Sequence, residues 1–205
     1  GDAEGATAYF TQAGQAQVPS VSAQAWRELG DMWFWKSEWG KAREAYQCLL
    51  STRDAALRPR GYSNLGFTEW RAGNYAAAIA DFDAAAACEH KDISPDSMLQ
   101  IGRIYETSLK DMERARDAYM RTMRTGHPEH APQAAFYCGV ALAATADREG
   151  AVAALRQAAE SGNKKWAPQA KLELGKLYLK WGDTSTGITF LEQAKETKDP
   201  QLGEE

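Results

Sequence analysis

Apolar positions along this chain recur at three- and four-residue intervals, the spacing that brings side chains onto one face of an α-helix. Tyr62, Leu65, Gly66 and Trp70 form one such run, and Lys171, Leu174, Gly175 and Tyr178 form another with a polar start. A second kind of run follows each after a short polar break, as in Ala78, Phe82 and Ala85, or Ala115, Tyr119 and Thr122. The breaks carry turn residues: Gly73-Asn74, Lys110-Asp111, Ala146-Asp147 and Gly182-Asp183. No alternating run of β-branched residues occurs, so strands are not expected. The pattern predicts helix–turn–helix units and nothing else.

The units repeat. Leu29-Gly30, Leu65-Gly66, Ile101-Gly102, Cys138-Gly139 and Leu174-Gly175 place glycines 36, 36, 37 and 36 residues apart. Pro59, Pro95, Pro132 and Pro168 keep the same step, each seven residues before its glycine. Proline suits the first turn of a helix, where its missing N–H has no partner in any case, and Ser94 before Pro95 reads as an N-cap. The extra residue of the 37-residue step is expected in the turn of the third complete unit. The units run over 22–54, 58–91, 94–127, 131–163 and 167–198. Residues 1–18 form the second helix of an earlier unit, through Ala6, Phe10 and Ala13, and 199–205 form a polar, frayed tail. The whole is expected to be one array, cut from a longer protein, because a Leu-Gly extrapolated back by one step falls before residue 1 and no polar capping helix follows the fifth unit.

Glycine inside a helix costs roughly 1 kcal/mol relative to alanine, and five of them roughly 5 kcal/mol. Such a cost repeated in register implies that a second helix comes too close for a side chain. Small residues open each second helix, at Ala42, Ala78, Ala115, Ala151 and Gly187, and are expected to face that contact.

These residues resemble the tetratricopeptide repeat. The first complete unit shows Trp26, Leu29-Gly30, Trp33, Ala42, Tyr46 and Leu49; the second departs by placing Glu69 where an aromatic is expected, with Trp70 next to it. The third shows Met98, Ile101-Gly102, Tyr105, Ala115, Tyr119 and Thr122; the fourth Ala135, Cys138-Gly139, Leu142, Ala151, Leu155 and Ala158; the fifth Leu174-Gly175, Tyr178, Gly187, Leu191 and Ala194. The run Ala159 to Asn163 is similar to Sel1-type repeats, and the Ala-Pro-Gln-Ala openings at Ala131 and Ala167 are similar to repeats of bacterial envelope proteins. The resemblance implies an all-α fold, a right-handed superhelical solenoid of antiparallel helix–turn–helix repeats. It also implies a scaffold or adaptor that binds a protein or peptide in a concave groove lined by the first helices.

By that resemblance the groove residues are Arg27, Asp31, Phe34 and Trp35; Arg60, Ser63, Phe67, Trp70 and Arg71; Leu99, Arg103 and Glu106; and Phe136. Aromatics and arginine are the side chains that dominate interaction hot spots. Packing between repeats is the competing role for the aromatics. Trp26 and Trp33 fall in core slots, and Trp39 and Trp181 sit at turns. One subset of the family grips a peptide's terminal carboxylate with Lys, Asn and Arg from three units. Asn64 matches it and Arg27 replaces a lysine, but Asp31, Asp96 and Gln100 occupy the remaining positions. Carboxylates there would repel the ligand, so no such clamp is expected.

Composition narrows the classes. A net charge of −4 and a pI near 5.5, with scattered Lys and Arg, argue against a nucleic-acid partner. The uncharged stretch Ala131 to Ala146 is too short and too Ala-rich for a transmembrane segment. Cys48, Cys88 and Cys138 share no close spacing and no glycosylation sequon occurs, which leans towards a reducing cytoplasmic compartment, with a bacterial periplasm or envelope as the alternative. His127 and His130 lie in a connection with no further ligands near in sequence, so neither a metal nor a cofactor is expected. Gly40-Lys41 and Gly175-Lys176 lack the earlier glycine of a phosphate loop. No acid, base or nucleophile converges, so an enzyme is not expected. Alternatives to the adaptor are self-association through exposed repeat ends, and a regulatory repeat domain serving a larger enzyme or a secretion or envelope complex.

Overall fold

A computed structural model of the chain describes residues 3–16, 18–145 and 147–196. The expected frayed tail 199–205 lies outside these residues, as do Ala146 of the fourth turn and residues 1, 2 and 17 of the first expected helix. Among the described residues every regular element is helical. In chain order they are α1 (Ala3–Gly14), α2 (Pro19–Trp35), α3 (Trp39–Ser51), α4 (Arg58–Arg71), α5 (Tyr75–Ala86), α6 (Ile93–Ile104), a π turn (Tyr105–Leu109), α7 (Met112–Arg124), α8 (His130–Ala144), α9 (Arg148–Glu160), α10 (Trp166–Lys180) and α11 (Thr184–Glu196).

The chain divides into two compact units, Gly1–Ile104 and Tyr105–Glu205. The boundary falls inside the third expected repeat, at the junction of α6 and the π turn. In the first unit α2 pairs with α3 and α4 with α5, while α1 packs on α2, α3 on α4, and α5 on α6. In the second, α8 pairs with α9 and α10 with α11, with α7 against α8 and α9 against α10.

The repeated glycines mark the tight crossings. A Cβ on Gly30 would lie 2.4 Å from Cε1 of Tyr46, and one on Gly139 would lie 2.5 Å from Cγ of Leu155. The residue that fills each gap is the large one four positions after the small residue: Tyr46, Phe82, Leu155 and Leu191. The small residues themselves come near through the backbone in the second unit, where the Ala151 carbonyl would be 3.1 Å from a Cβ on Gly139. In the first unit the glycines make room for a ring rather than for a backbone.

Helix ends follow the same register. Among the described residues, four first helices close on a residue with positive φ, at Ser37 (61°), Gly73 (83°), Lys110 (58°) and Gly182 (89°). The next N–H then bonds back five residues, from Glu38 to the Trp33 carbonyl (3.0 Å), Asn74 to Glu69 (2.8 Å), Asp147 to Leu142 (3.1 Å) and Asp183 to Tyr178 (3.0 Å). In the third case Asp111 bonds back six, to Tyr105 at 2.9 Å. The extra residue therefore sits in the last turn of the helix as a π turn, not in the loop where the sequence spacing placed it. A wider helical turn absorbs one residue while the closing bond and the cap stay intact.

The connections between repeats use one side chain as a shared cap. Asp54 Oδ1 accepts the N–H groups of Ala56 (3.0 Å) and Leu57 (2.9 Å), and Asn163 Oδ1 accepts those of Lys165 and Trp166 (both 3.0 Å). His90 and His127 hold the equivalent positions, each accepting two N–H groups at Nδ1 at 3.3 Å, from Asp92 and Ile93 and from Glu129 and His130. Ser94 is not the N-cap that the sequence suggests. It lies inside α6 and donates through Oγ to the Ala85 carbonyl at 3.4 Å. His90 makes the cap because an imidazole nitrogen reaches the same two amides as a carboxylate or amide oxygen.

Candidate functional site

The first unit holds a cavity of about 710 Å³ lined by α2, α3 and α4 and the residue before α4. Gln24, Arg27, Asp31, Phe34 and Trp35 come from α2; Tyr46 from α3; Leu57, Arg60, Asn64 and Phe67 from the start and middle of α4. In this unit α4 packs directly on α6, whereas no comparable packing joins α2 to α4. The cavity occupies that gap.

Asp31 is its polar centre. Its Oδ1 accepts from the Tyr46 hydroxyl at 2.6 Å and from Asn64 Nδ2 at 3.0 Å, and its Oδ2 accepts from Arg27 at 3.1 Å. Three helices thus converge on one carboxylate. Burial, and then the bond to Asp31, push the Tyr46 hydroxyl far above its ordinary pKa, so it stays a donor. Arg27 is held from its other side by Glu28. Arg60 differs: it is exposed and makes no hydrogen bond or ion pair with the described residues. Beyond the polar end lie the aromatics. Phe34 meets Trp35 and Trp39 edge to face, with centroids 5.8 and 5.3 Å apart, and Phe67 meets Phe82 at 5.0 Å. Trp35 is 82% exposed, an unusual state for so large an apolar side chain.

Six of the residues expected from the sequence therefore line this cavity: Arg27, Asp31, Phe34, Trp35, Arg60 and Phe67. The others go elsewhere. Ser63 and Leu99 are 4% and 1% exposed, so both face the interior instead of solvent. Arg71 lies over the Trp39 ring at 5.6 Å and Arg103 over the Trp70 ring at 5.4 Å, cation–π pairs outside the cavity. Glu106 and Phe136 belong to the second unit. There Glu106 accepts the Tyr119 hydroxyl at 2.5 Å, and Phe136 packs against Trp166 at 5.3 Å. Gln24, Tyr46 and Leu57 carry no groove signal in the sequence. Tyr46 occupies a core slot of the repeat, and only its hydroxyl reaches the cavity wall.

Glu69, the departure from the aromatic slot, is 5% exposed and forms a two-pronged pair with Arg43, its Oε2 accepting from Nη2 at 2.8 Å and from Asn74 at 2.7 Å. The Arg43 hydrogen bond holds the Glu69 carboxyl below its usual range. Nearby Asp81 is pushed up to about 6, first by burial and then by the Glu69 charge. Trp26 and Trp33, expected as core, are half-buried and line a second cavity of about 660 Å³ with Leu29, Ala45, Cys48 and residues of α1. Lys41 Nζ stands 4.3 Å from the Trp33 ring centroid.

No family model matches the chain, and no curated protein matches it in sequence. Solved structures match it in shape. BtubC (BKLC) from P. vanneervenii is 17% identical with a TM-score of 0.73, over 100% of this chain and 94% of that one. A structure of MamA (41-end) from Desulfovibrio magneticus RS-1 is 14% identical with a TM-score of 0.65, over 88% of this chain and 97% of that one. YrrB, described as a TPR protein with an unusual peptide-binding site, is 16% identical with a TM-score of 0.63, over 94% of each chain. Likeness at these identities establishes the fold. The chain has an all-α helical-repeat fold like that of tetratricopeptide proteins.

Proposed function

We propose that this tetratricopeptide-type chain is a protein-interaction scaffold whose first unit holds a segment of a partner protein between α2 and α4. The observation that carries the reading is the cavity of about 710 Å³ with Trp35 standing 82% exposed at its edge and Arg60 beside it, unengaged by the described residues. Large rings and unpaired guanidinium groups beside a concavity supply area and polar handles for a partner at low entropic cost. That YrrB carries a peptide-binding site accords with this.

A catalytic role fits the cavity poorly. The one carboxylate in it, Asp31, is already engaged by Tyr46, Asn64 and Arg27, and no serine, cysteine or histidine among the described residues lines the cavity beside it. The same bonds argue against a clamp for a peptide's terminal carboxylate, because Asn64 and Arg27 give their donors to Asp31.

A displayed peptide library tests the proposal. Peptides selected on the intact chain should lose at least about tenfold in affinity for the Trp35→Ala variant, while the helical circular dichroism signal stays the same. Trp35 is 82% exposed, so its removal gives up the edge contact with Phe34 and no buried packing. Selected peptides that bind both proteins equally would overturn the groove.

A further inference from the structure

The cavity has two chemically different ends, and they are evenly spaced on both walls. Arg27 and Phe34 on α2 are seven residues apart, and so are Arg60 and Phe67 on α4. Seven residues are nearly two helical turns, so each pair shares a face and its members stand about 10 Å apart along the axis. α2 and α4 are both first helices of their hairpins and run in the same sense. Both guanidinium groups therefore mark one end of the cavity, and Phe34, Trp35 and Phe67 mark the other.

Charge at the cationic end is unbalanced. Arg27 is neutralised by Asp31 and Glu28. Arg60 has no such partner among the described residues, and Leu57 beside it is apolar. A ligand that fills the cavity lies next to a solvated guanidinium at one end and an exposed indole at the other. A peptide extended as a polyproline II helix advances about 3.1 Å per residue with three residues per turn, so residues three apart share a face and stand about 9 Å apart. A helical segment would need seven residues for the same span, and its own width would compete with the walls.

Resting on the groove reading above, we propose that this cavity takes an extended internal peptide segment carrying a side-chain carboxylate and a large apolar side chain three residues apart. The carboxylate pairs with Arg60 and the apolar group packs among Phe34, Trp35 and Phe67. The ligand needs no free C-terminus, because Asn64 and Arg27, the donors that would hold a terminal carboxylate, are bound to Asp31.

Peptides blocked at both ends, titrated into the intact chain by calorimetry, test it. One set carries Glu and Phe with two alanines between, in either order. Other sets replace Glu by Lys, replace Phe by Ala, or place Glu directly beside Phe. At least one order of the Glu peptide should bind, with each replacement weakening it about tenfold or more. The Arg60→Glu variant should reverse the preference, taking the Lys peptide over the Glu peptide. Arg60 is exposed, so this variant folds; matching circular dichroism confirms it. Equal binding of the Glu and Lys peptides, or no effect of spacing, overturns the ligand class. If no designed peptide binds but library peptides still depend on Trp35, the ligand class fails and the groove stands. If library peptides ignore Trp35 as well, both fail.

Discussion

Single side chains in this protein are decided by what lies across from them. Gly30 and Gly40 are ten residues apart and nothing in their types distinguishes them. A Cβ on Gly30 meets the Tyr46 ring at 2.4 Å, and that ring is 2% exposed with its hydroxyl tied to Asp31. Gly30→Ala is expected to destabilise the chain by about 2–3 kcal/mol in urea unfolding. A Cβ on Gly40 meets nothing within 4 Å, so Gly40→Ala in the first turn of α3 should be neutral or slightly stabilising, by up to about 0.5 kcal/mol. Equal effects at both sites would refute the crossing. Asp81 gives a pH test. Its carboxyl titrates near 6 in the folded chain, above the unfolded value of 3.8, so the folded state favours the protonated form. The stability this gives is complete below the unfolded value and is lost as pH rises through about 6. Asp81→Asn should therefore gain about 1–2 kcal/mol at pH 7 and little below pH about 4. A gain independent of pH would remove Asp81 as the cause. Glu69 acts in the opposite sense: Arg43 lowers its pKa, so its contribution is present at neutral pH and is lost on acidification.

At the scale of elements, the helix ends hold the repeat in register as firmly as the helix faces do. Four described residues that close first helices have positive φ whatever their type, and Ser37 and Lys110 adopt 61° and 58° against the preference of a residue with a Cβ. Lys110→Gly is expected to raise the stability by about 0.5–1 kcal/mol, read as a higher unfolding midpoint, with Gly73→Ala lowering it by a similar amount. A fall in midpoint for Lys110→Gly would mean that the π turn before it, not the dihedral angle, sets the local energy. The sequence step of 37 residues announces this irregularity. It does not locate it, because a loop and a wider helical turn lengthen the chain equally. Similarly, His90 and His127 look like loop residues in the sequence. Their role as caps equivalent to Asp54 and Asn163 becomes visible only once the step of 36, 37 and 36 residues is laid over the hydrogen bonds.

For the molecule as a whole, the repeat and its helical hairpins were legible from the chain, and six of the ten residues lining the candidate cavity were among those expected. Arg27, Asp31, Phe34, Trp35, Arg60 and Phe67 converge on one cavity because helical phase, which the sequence carries, points them the same way. The net charge of −4 gives no hint that this cavity is cationic at one end. Periodicity, the positions of the glycines and the fold class follow from contacts within one or two helical turns and from a pattern repeated five times, so the sequence alone determined them. The division into two units, the gap between α2 and α4, and the pairing of donors with Asp31 were decided by tertiary structure. Tyr46 and Asn64 reach that carboxylate across 15 and 33 residues of chain. Which donor fills a given acceptor at such separations depends on how closely three helices pack, and no local spacing encodes that distance.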